Sequence, residues 1–500
     1  MHENVLWADL HNHNAIGYGR GSIERAIDIA RSHLDIVAVT PHAAWPDLPA
    51  IEGDRHEKWL RGFETVKASW PRLRRLVAEA NQPGAFVAIL GYEWHSSRWG
   101  DYCLLYPGDE GDLVLPDTVE ALQAHARAAG ALLIPHHLGY ATGHRGADFD
   151  RLADDVTPVV EVYSEHGGCE RDRDPFEMHH HSMGGRSTAN TLQSLLARGA
   201  RVGVTAGTDD HLGYPGAYRE GLTAILAAER TREAVFEALR ARRCYGVTGD
   251  RIRLAFRING QAMGSDLPAQ RERRIDVAVE APDELDRVEV LRNNCVIRRW
   301  FPDDAPATVA DLSEPVCCRV EFGWGPWTDL DLGRVADWRI NARVEGGRLL
   351  DAQPCFQSGP FDEERRNRIL ERSETGCLWV SYTSRREAFD GIATNAVILT
   401  LSGAPEARLR LDIEEPAPGT VSAALGDLLA RNAIHFTGPF PAESLMIHRL
   451  VPQRRARATI AFDDPTAASG AAASGGADCY TVRVTESSSQ MAWSSPIWVG

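Results

Sequence analysis

Short apolar runs of strand length recur through the first half of this chain, and each ends on, or shortly before, a histidine or an acid. Val5 to Ala8 leads into Asp9-Leu10-His11-Asn12-His13, Asp35 to Thr40 into Pro41-His42, and Phe86 to Leu90 into Gly91-Tyr92-Glu93-Trp94-His95. Ala131 to Ile134 ends on Pro135-His136-His137, Val159 to Tyr163 precedes His166, and Val202 to Thr205 precedes Asp209-Asp210-His211. Helical spacing fills the gaps. Ser22 caps a segment with Ile23, Ala26, Ile27 and Ala30 on one face, Thr118 opens another with Val119, Leu122 and Ala126, and Thr188 to Ala197 and Thr231 to Arg240 read likewise. Strand alternating with helix predicts an α/β fold with a parallel sheet. Parallel strands with polar residues at their C-terminal ends are how (β/α) barrels assemble sites.

The residue types at those ends are metal ligands. His11 and His13, two apart on extended backbone, share one face and reach one cation. Imidazole nitrogen and carboxylate oxygen suit zinc and neighbouring divalent ions, and a site with few thiolates and open positions is of the catalytic kind. A lone His-x-His is more often surface or core; six strand ends with the same chemistry are not.

The order His-x-His, Thr40-Pro41-His42, Gly91-Tyr92-Glu93, Pro135-His136-His137 and Asp209-Asp210-His211 resembles the polymerase-and-histidinol-phosphatase (PHP) family of metal-dependent hydrolases. Thr208 to Tyr218 and Tyr245 to Arg251 are similar to motifs of its PHP-like branch of unknown function, which carries a β-rich C-terminal extension. The resemblance is strong over the first half of the chain and loose beyond it. It implies a distorted (β/α)7 TIM-like barrel holding two or three divalent ions, zinc, manganese or iron. Carried over, His11, His13, Glu93 and Asp209 hold a first ion. Glu93 bridges to a second, held also by His137 and a further histidine, for which His166 is best placed, as ligand or as pocket-lining residue. His42 and His211 belong to a third. Two departures weaken that third site: Asn14 to Gly19 offer no further His or Asp after His13, and Pro41 stands where the family commonly has Asp. Two tight ions are expected. The choice of His137 over His136 rests on the resemblance alone.

The implied chemistry is hydrolysis by a metal-bound hydroxide, since a bound divalent ion lowers the pKa of water from ~15.7 towards ~7. Glu93 belongs to this machinery, and His211 or His42, if not ligating, serves as general acid. His95, two residues beyond Glu93, is a candidate substrate contact, as are His136, Arg98 and Arg251, the last alternatively a salt bridge between domains. Arg98 and Arg145 are the nearest cations to the motif loops. The favoured substrate is a small-molecule phosphoester. The alternative is a hydrolase or lyase acting on a non-phosphate ester, lactone, amide or C–O bond of an organic acid or sugar. A β-rich binding or scaffold protein with a degenerate barrel is a third reading, which the ordered ligand set disfavours. The run Met178-His179-His180-His181 reads as a solvated loop.

Five hundred residues exceed one hydrophobic core, so two or three domains are expected. The first spans 1–250, a metal-dependent catalytic domain. The second, 251–500, alternates apolar with polar as half-buried antiparallel strands do, in Arg253 to Gly260, Ile275 to Glu280, Leu378 to Tyr382, Ala396 to Leu401 and others, and reads as one or two β-sandwich units. A helix is expected over Val421 to Asn432, a flexible Ala/Ser/Gly loop over 466–476, and an aromatic platform or core at Gly323 to Thr328. The net charge of −16 argues against a nucleic-acid surface and leaves a small-molecule partner. Nine cysteines without a C-x-x-C pair form no disulfide framework or zinc knuckle, which fits a reducing cytoplasm. Neither a signal peptide nor an apolar run near eighteen residues is expected. Oligomeric state is left open.

Overall fold

The computed structural model describes residues 4–50, 53–176, 178, 186–325, 333–386, 392–464 and 476–500. His179, His180 and His181, residues 326–328 of the Gly323 to Thr328 stretch, and 466–475 of the expected flexible loop lie outside the described residues.

The chain is mixed α/β and rich in strands. Its first half forms β1 (Val5–Asp9), α1 (Ile23–His33), β2 (Ile36–Val39), β3 (His42–Ala44), α2 (Asp54–Ala80), β4 (Val87–Trp94), β5 (Asp101–Leu105), α3 (Val119–Ala129) and β6 (Leu132–His136). It continues through β7 (Val159–Ser164), β8 (Gly167–Gly168), α4 (Leu192–Ala197), β9 (Gly203–Ala206), β10 (Leu222–Leu226), α5 (Arg232–Arg240) and β11 (Cys244–Val247). Ser22, Thr118, Thr191 and Thr231 cap their helices, each hydroxyl accepting the N–H three residues on. The stretch expected to be helical from Thr188 instead divides into a 3-10 turn, Thr188–Asn190, and the short α4.

The sheet corrects the all-parallel expectation. β1, β2 and β4 are parallel neighbours, but β5 folds back against β4 and β6 against β5, while β10 and β11 are antiparallel additions beside β1. β7 and β9 pair in parallel in a separate small sheet with β8. No hydrogen-bonded ring closes among the described residues. Side-chain hydroxyls stitch one seam instead. Thr223 Oγ accepts from Ala206 N–H at 3.1 Å and donates to its carbonyl at 2.7 Å, and Ser495 Oγ accepts from Val204 N–H and donates to Cys244 O.

That serine comes from the far end of the sequence. Met491–Ser494 pairs with β11, and Asp478–Glu486 and Ile497–Val499 extend the same sheet, so hydrogen bonding crosses residue 250. One continuous apolar core runs from Trp7 and Val39 through Tyr245 to Val288 and Val484. Apart from a short parallel pairing of Asp266–Leu267 with Ile497–Val499, the rest of the second half is antiparallel as its alternation predicts: a four-stranded sheet containing Arg253–Ile258 and Arg274–Glu280, and a nine-stranded sheet built on Ala336–Cys355 and Thr394–Glu415. The expected helix at Val421 shrinks to Leu425–Leu428. Gly419–Ala424 pairs as a strand with Thr394–Glu415, because Leu425, Leu428 and Leu429 supply apolar spacing for a single turn only. No described helix is long and apolar enough to cross a membrane.

Candidate metal centre

The ends of β1, β2, β4, β6, β7 and β9 deliver their polar residues to one place. His11 and His13 follow β1, His42 opens β3, Glu93 lies near the end of β4, His136 ends β6, His166 follows β7 and Asp209 follows β9. His137 and Asp209 sit at φ +52° and +57°, the left-handed region that a non-glycine residue enters only under constraint. For Asp209 the constraint is visible: its N–H donates to His11 O at 2.7 Å, tying the β9 turn to the β1 turn. The reversal at His137 lets adjacent histidines face different acids. His136 Nε2 lies 2.7 Å from Glu93 Oε1, and His137 Nε2 lies 3.4 Å from Asp209 Oδ2.

Two carboxylates organise the cluster. Glu93 Oε1 faces His136 and His95, and its Oε2 faces His42 at 3.3 Å and His13 at 3.6 Å. Asp209 Oδ1 lies 2.8 Å from His13 Nε2 and 3.3 Å from His11 Nε2, whereas Oδ2 faces His137 and His166. His42 and His211 approach Nε2 to Nε2 at 3.2 Å. His13, His42, Asp209 and His211 together offer four ligand atoms within 4.8 Å of one another.

These residues fit divalent metal. Glu93 Oε2 and Asp209 Oδ2 are buried without a hydrogen-bond partner among the described residues, a costly arrangement for a carboxylate unless a cation satisfies it. Imidazole Nε2 atoms crowd the same oxygens. Burial holds His42 and His137 well below the usual imidazole range and His13 down to about 4, so all three are neutral and present lone pairs. Burial works to raise the two carboxyls, but the surrounding imidazoles, His95 foremost for Glu93 and His11 for Asp209, outweigh it and keep both ionised.

A second layer orients the first, and the sequence reading missed it. Glu161, inside β7, receives His11 Nδ1 at 3.1 Å, leaving Nε2 to face the cluster. Tyr140 OH meets His166 Nδ1 at 2.8 Å, and Glu165 meets His211 Nδ1 at 3.1 Å. Although burial pulls the His211 imidazole down, the Glu165 carboxylate prevails and raises it to about 9. Asp101, opening β5, lies 3.4 Å from His95 Nδ1 and receives Arg145 Nε at 2.7 Å. An acid in the middle of the apolar run Val159 to Tyr163 was the available signal for Glu161, since a buried charge requires a partner.

The cluster floors a cavity of about 880 Å³, of small-molecule size, walled by Tyr18, Trp45, Trp59, Lys58 and Arg145. Four candidate substrate contacts are placed differently from expectation. His95 and His136 are fully buried behind Glu93: the shared strand face that links His95 to Glu93 points inward. Arg98 is exposed and its guanidinium lies over Trp99, 5.1 Å from the ring centre, outside the cavity wall. Arg251 lies over Trp7 in the middle of β1, outside the cavity wall.

Residues 193–263 match the model of a family described as a protein of unknown function (DUF3604). Uncharacterised proteins of Chlamydia muridarum and Chlamydia pneumoniae are each 28% identical, over 48% and 47% of this chain, and the match spans 41% of either relative. Among solved structures, a two-domain protein containing a predicted PHP-like metal-dependent phosphoesterase from Bacteroides vulgatus aligns with 61% of this chain and 82% of its own, at 15% identity and a TM-score of 0.33.

Proposed function

We propose that this chain is a divalent-metal-dependent hydrolase of small molecules, with strands β1 to β11 acting as a distorted barrel and a phosphoester as the substrate. The observation that carries the reading is the pair of buried, hydrogen-bond-deficient carboxylate oxygens of Glu93 and Asp209, set among imidazoles at the floor of an open cavity. His11, His13, Glu93 and Asp209 would hold one ion, and Glu93 or Asp209, each facing histidines through both oxygens, would share it with a second held by His137 and His166. When bound, such ions supply Lewis acidity toward the scissile group and toward water. The chain's own residues do the rest. Glu161, Tyr140 and Glu165 fix imidazole orientation. His211, one-third exposed at the cavity and hydrogen-bonded to Glu165, is placed to deliver a proton to the leaving group. Arg145, its guanidinium paired with Asp101, and Lys58 at the rim favour an anionic substrate.

The aromatic wall of Tyr18, Trp45 and Trp59 supports a second reading, cleavage of a non-phosphate ester, lactone, amide or C–O bond in a substrate with a ring or apolar part. Metal content of untagged protein, purified without chelator, tests both alongside His11→Ala and Asp209→Ala. The expected result is two ions per chain, lost in both variants together with turnover of generic phosphoesters. Two ions without phosphoesterase turnover would select the second reading, and no bound ion would refute both.

A further inference from the structure

A second cavity, of about 640 Å³, opens at the other end of β1, between the N-terminal half and the antiparallel sheets. Val5 and Trp7 line it, whereas His11 and His13 lie beyond the opposite end of the same strand. Its wall is unusually cationic for a chain of net charge −16. Its three acids are each matched to an arginine: Asp35 pairs with Arg230, Asp351 with Arg372 at 2.6 Å, and Glu280 with Arg457. Arg368 reaches outward to Asp28 at 2.5 Å.

Two guanidiniums are left over. Arg251, in a tight turn closed by Ile252 N–H to Asp250 O, and Arg253, which opens Arg253–Ile258, have no carboxylate within ion-pair distance among the described residues. Arg251 donates to the carbonyl of His33 and lies over the Trp7 ring, 5.8 Å from its centre. Burial is the main cost to the Arg251 charge and Arg253 adds to it, while Asp35 and Asp351 offset part of it from beyond ion-pair distance. A third donor faces the same space without a partner: Gln353, nine-tenths buried, has an amide Nε2 that makes no hydrogen bond among the described residues. Two guanidiniums without a contacting carboxylate, beside a buried amide donor that makes no hydrogen bond among the described residues, form a site suited to an anionic acceptor.

From this juxtaposition of Arg251, Arg253 and Gln353 in a solvent-open cavity between the two halves, we infer a binding site for a small organic anion carrying a phosphate or paired carboxylates, distinct from the metal centre. Planar guanidinium forks match either group, and the volume admits a metabolite rather than a lone ion. The inference does not depend on what the metal centre catalyses.

Isothermal titration of the full-length, metal-loaded protein with pyrophosphate and with citrate tests it. Because both probes also bind metals, the titrations are repeated on Asp209→Asn, which disables the first site, and on Arg253→Gln and Gln353→Leu, which alter the second. Arg253 is solvent-exposed, so its replacement leaves the fold intact even if an Arg251 variant does not fold. At least one probe should bind Asp209→Asn as it binds the parent and bind Arg253→Gln and Gln353→Leu at least tenfold more weakly. The preferred probe identifies the headgroup as phosphate or carboxylate. Binding lost in Asp209→Asn but unchanged in the other two, or absent from the parent for both anions, would overturn the inference.

Discussion

Asp209 concentrates the demands on a single residue. It must occupy the left-handed region at φ +57°, donate its N–H to His11 O and present two oxygens to separate histidine pairs. Aspartate and asparagine tolerate that backbone better than other non-glycine residues. Asp209→Asn is therefore expected to keep the fold, with a thermal midpoint near that of the metal-free parent, while losing bound metal; paired thermal unfolding and metal analysis check both. Glu161 makes a different case. Its carboxylate fixes the His11 ring, and Glu161→Gln should weaken metal affinity about 10- to 100-fold, measured by chelator competition, without abolishing binding. The sequence made the histidines and Asp209 legible because ligand types are conspicuous at the ends of apolar runs. Glu161, Asp101 and Glu165 escaped because their role is defined by a partner across the fold, which local spacing does not encode.

At the scale of elements, side-chain hydroxyl caps made α1, α3 and α5 readable to within a residue or two at their starts. β5 was not readable, and it is the element that turns a parallel expectation into a mixed sheet: Asp101 to Leu105 sits close after β4 and reverses against it through the loop 95–100. The end of α1 carries a pH-dependent liability. His33 packs against Gly216 and stacks with Tyr214 at 6.0 Å, and burial, with the nearby Arg251 charge, lowers its imidazole to about 3. The folded state binds this proton less readily than the unfolded chain does. Stability should therefore fall as pH drops below about 6.5, by at most ~1.4 kcal/mol per pH unit from this group. His33→Gln should flatten that slope between pH 7 and 5 in urea unfolding. An unchanged slope would mean that other groups set the acid response.

At the scale of the molecule, the change of pattern near residue 251 is real as a change of strand type and misleading as a place to cut. Beyond it, Met491–Ser494 covers the edge of β11, Ser495 bridges β9 and β11, and Arg483 joins the two halves from a buried position. Arg483 donates to Glu170 of the first half and to Glu289 of the second, while Trp493 Nε1 adds a bond to Glu170. Truncation at 250 would leave Glu170 without its cation, β11 with an open edge and the shared apolar core exposed along one side. An uncovered hydrophobic edge strand invites association between chains. A fragment of residues 1–250 is thus expected to aggregate or to unfold without a cooperative transition, and to bind no stoichiometric metal, despite containing every residue of the metal centre. Co-expression with residues 251–500 should restore both properties, since the missing strand, hydroxyl and guanidinium all lie there. Sequence periodicity reports which face of each strand is buried, but it carries no information on which distant strand buries it; the dependence expected of the candidate metal centre on residues 476–500 would be a property of the assembled sheet alone.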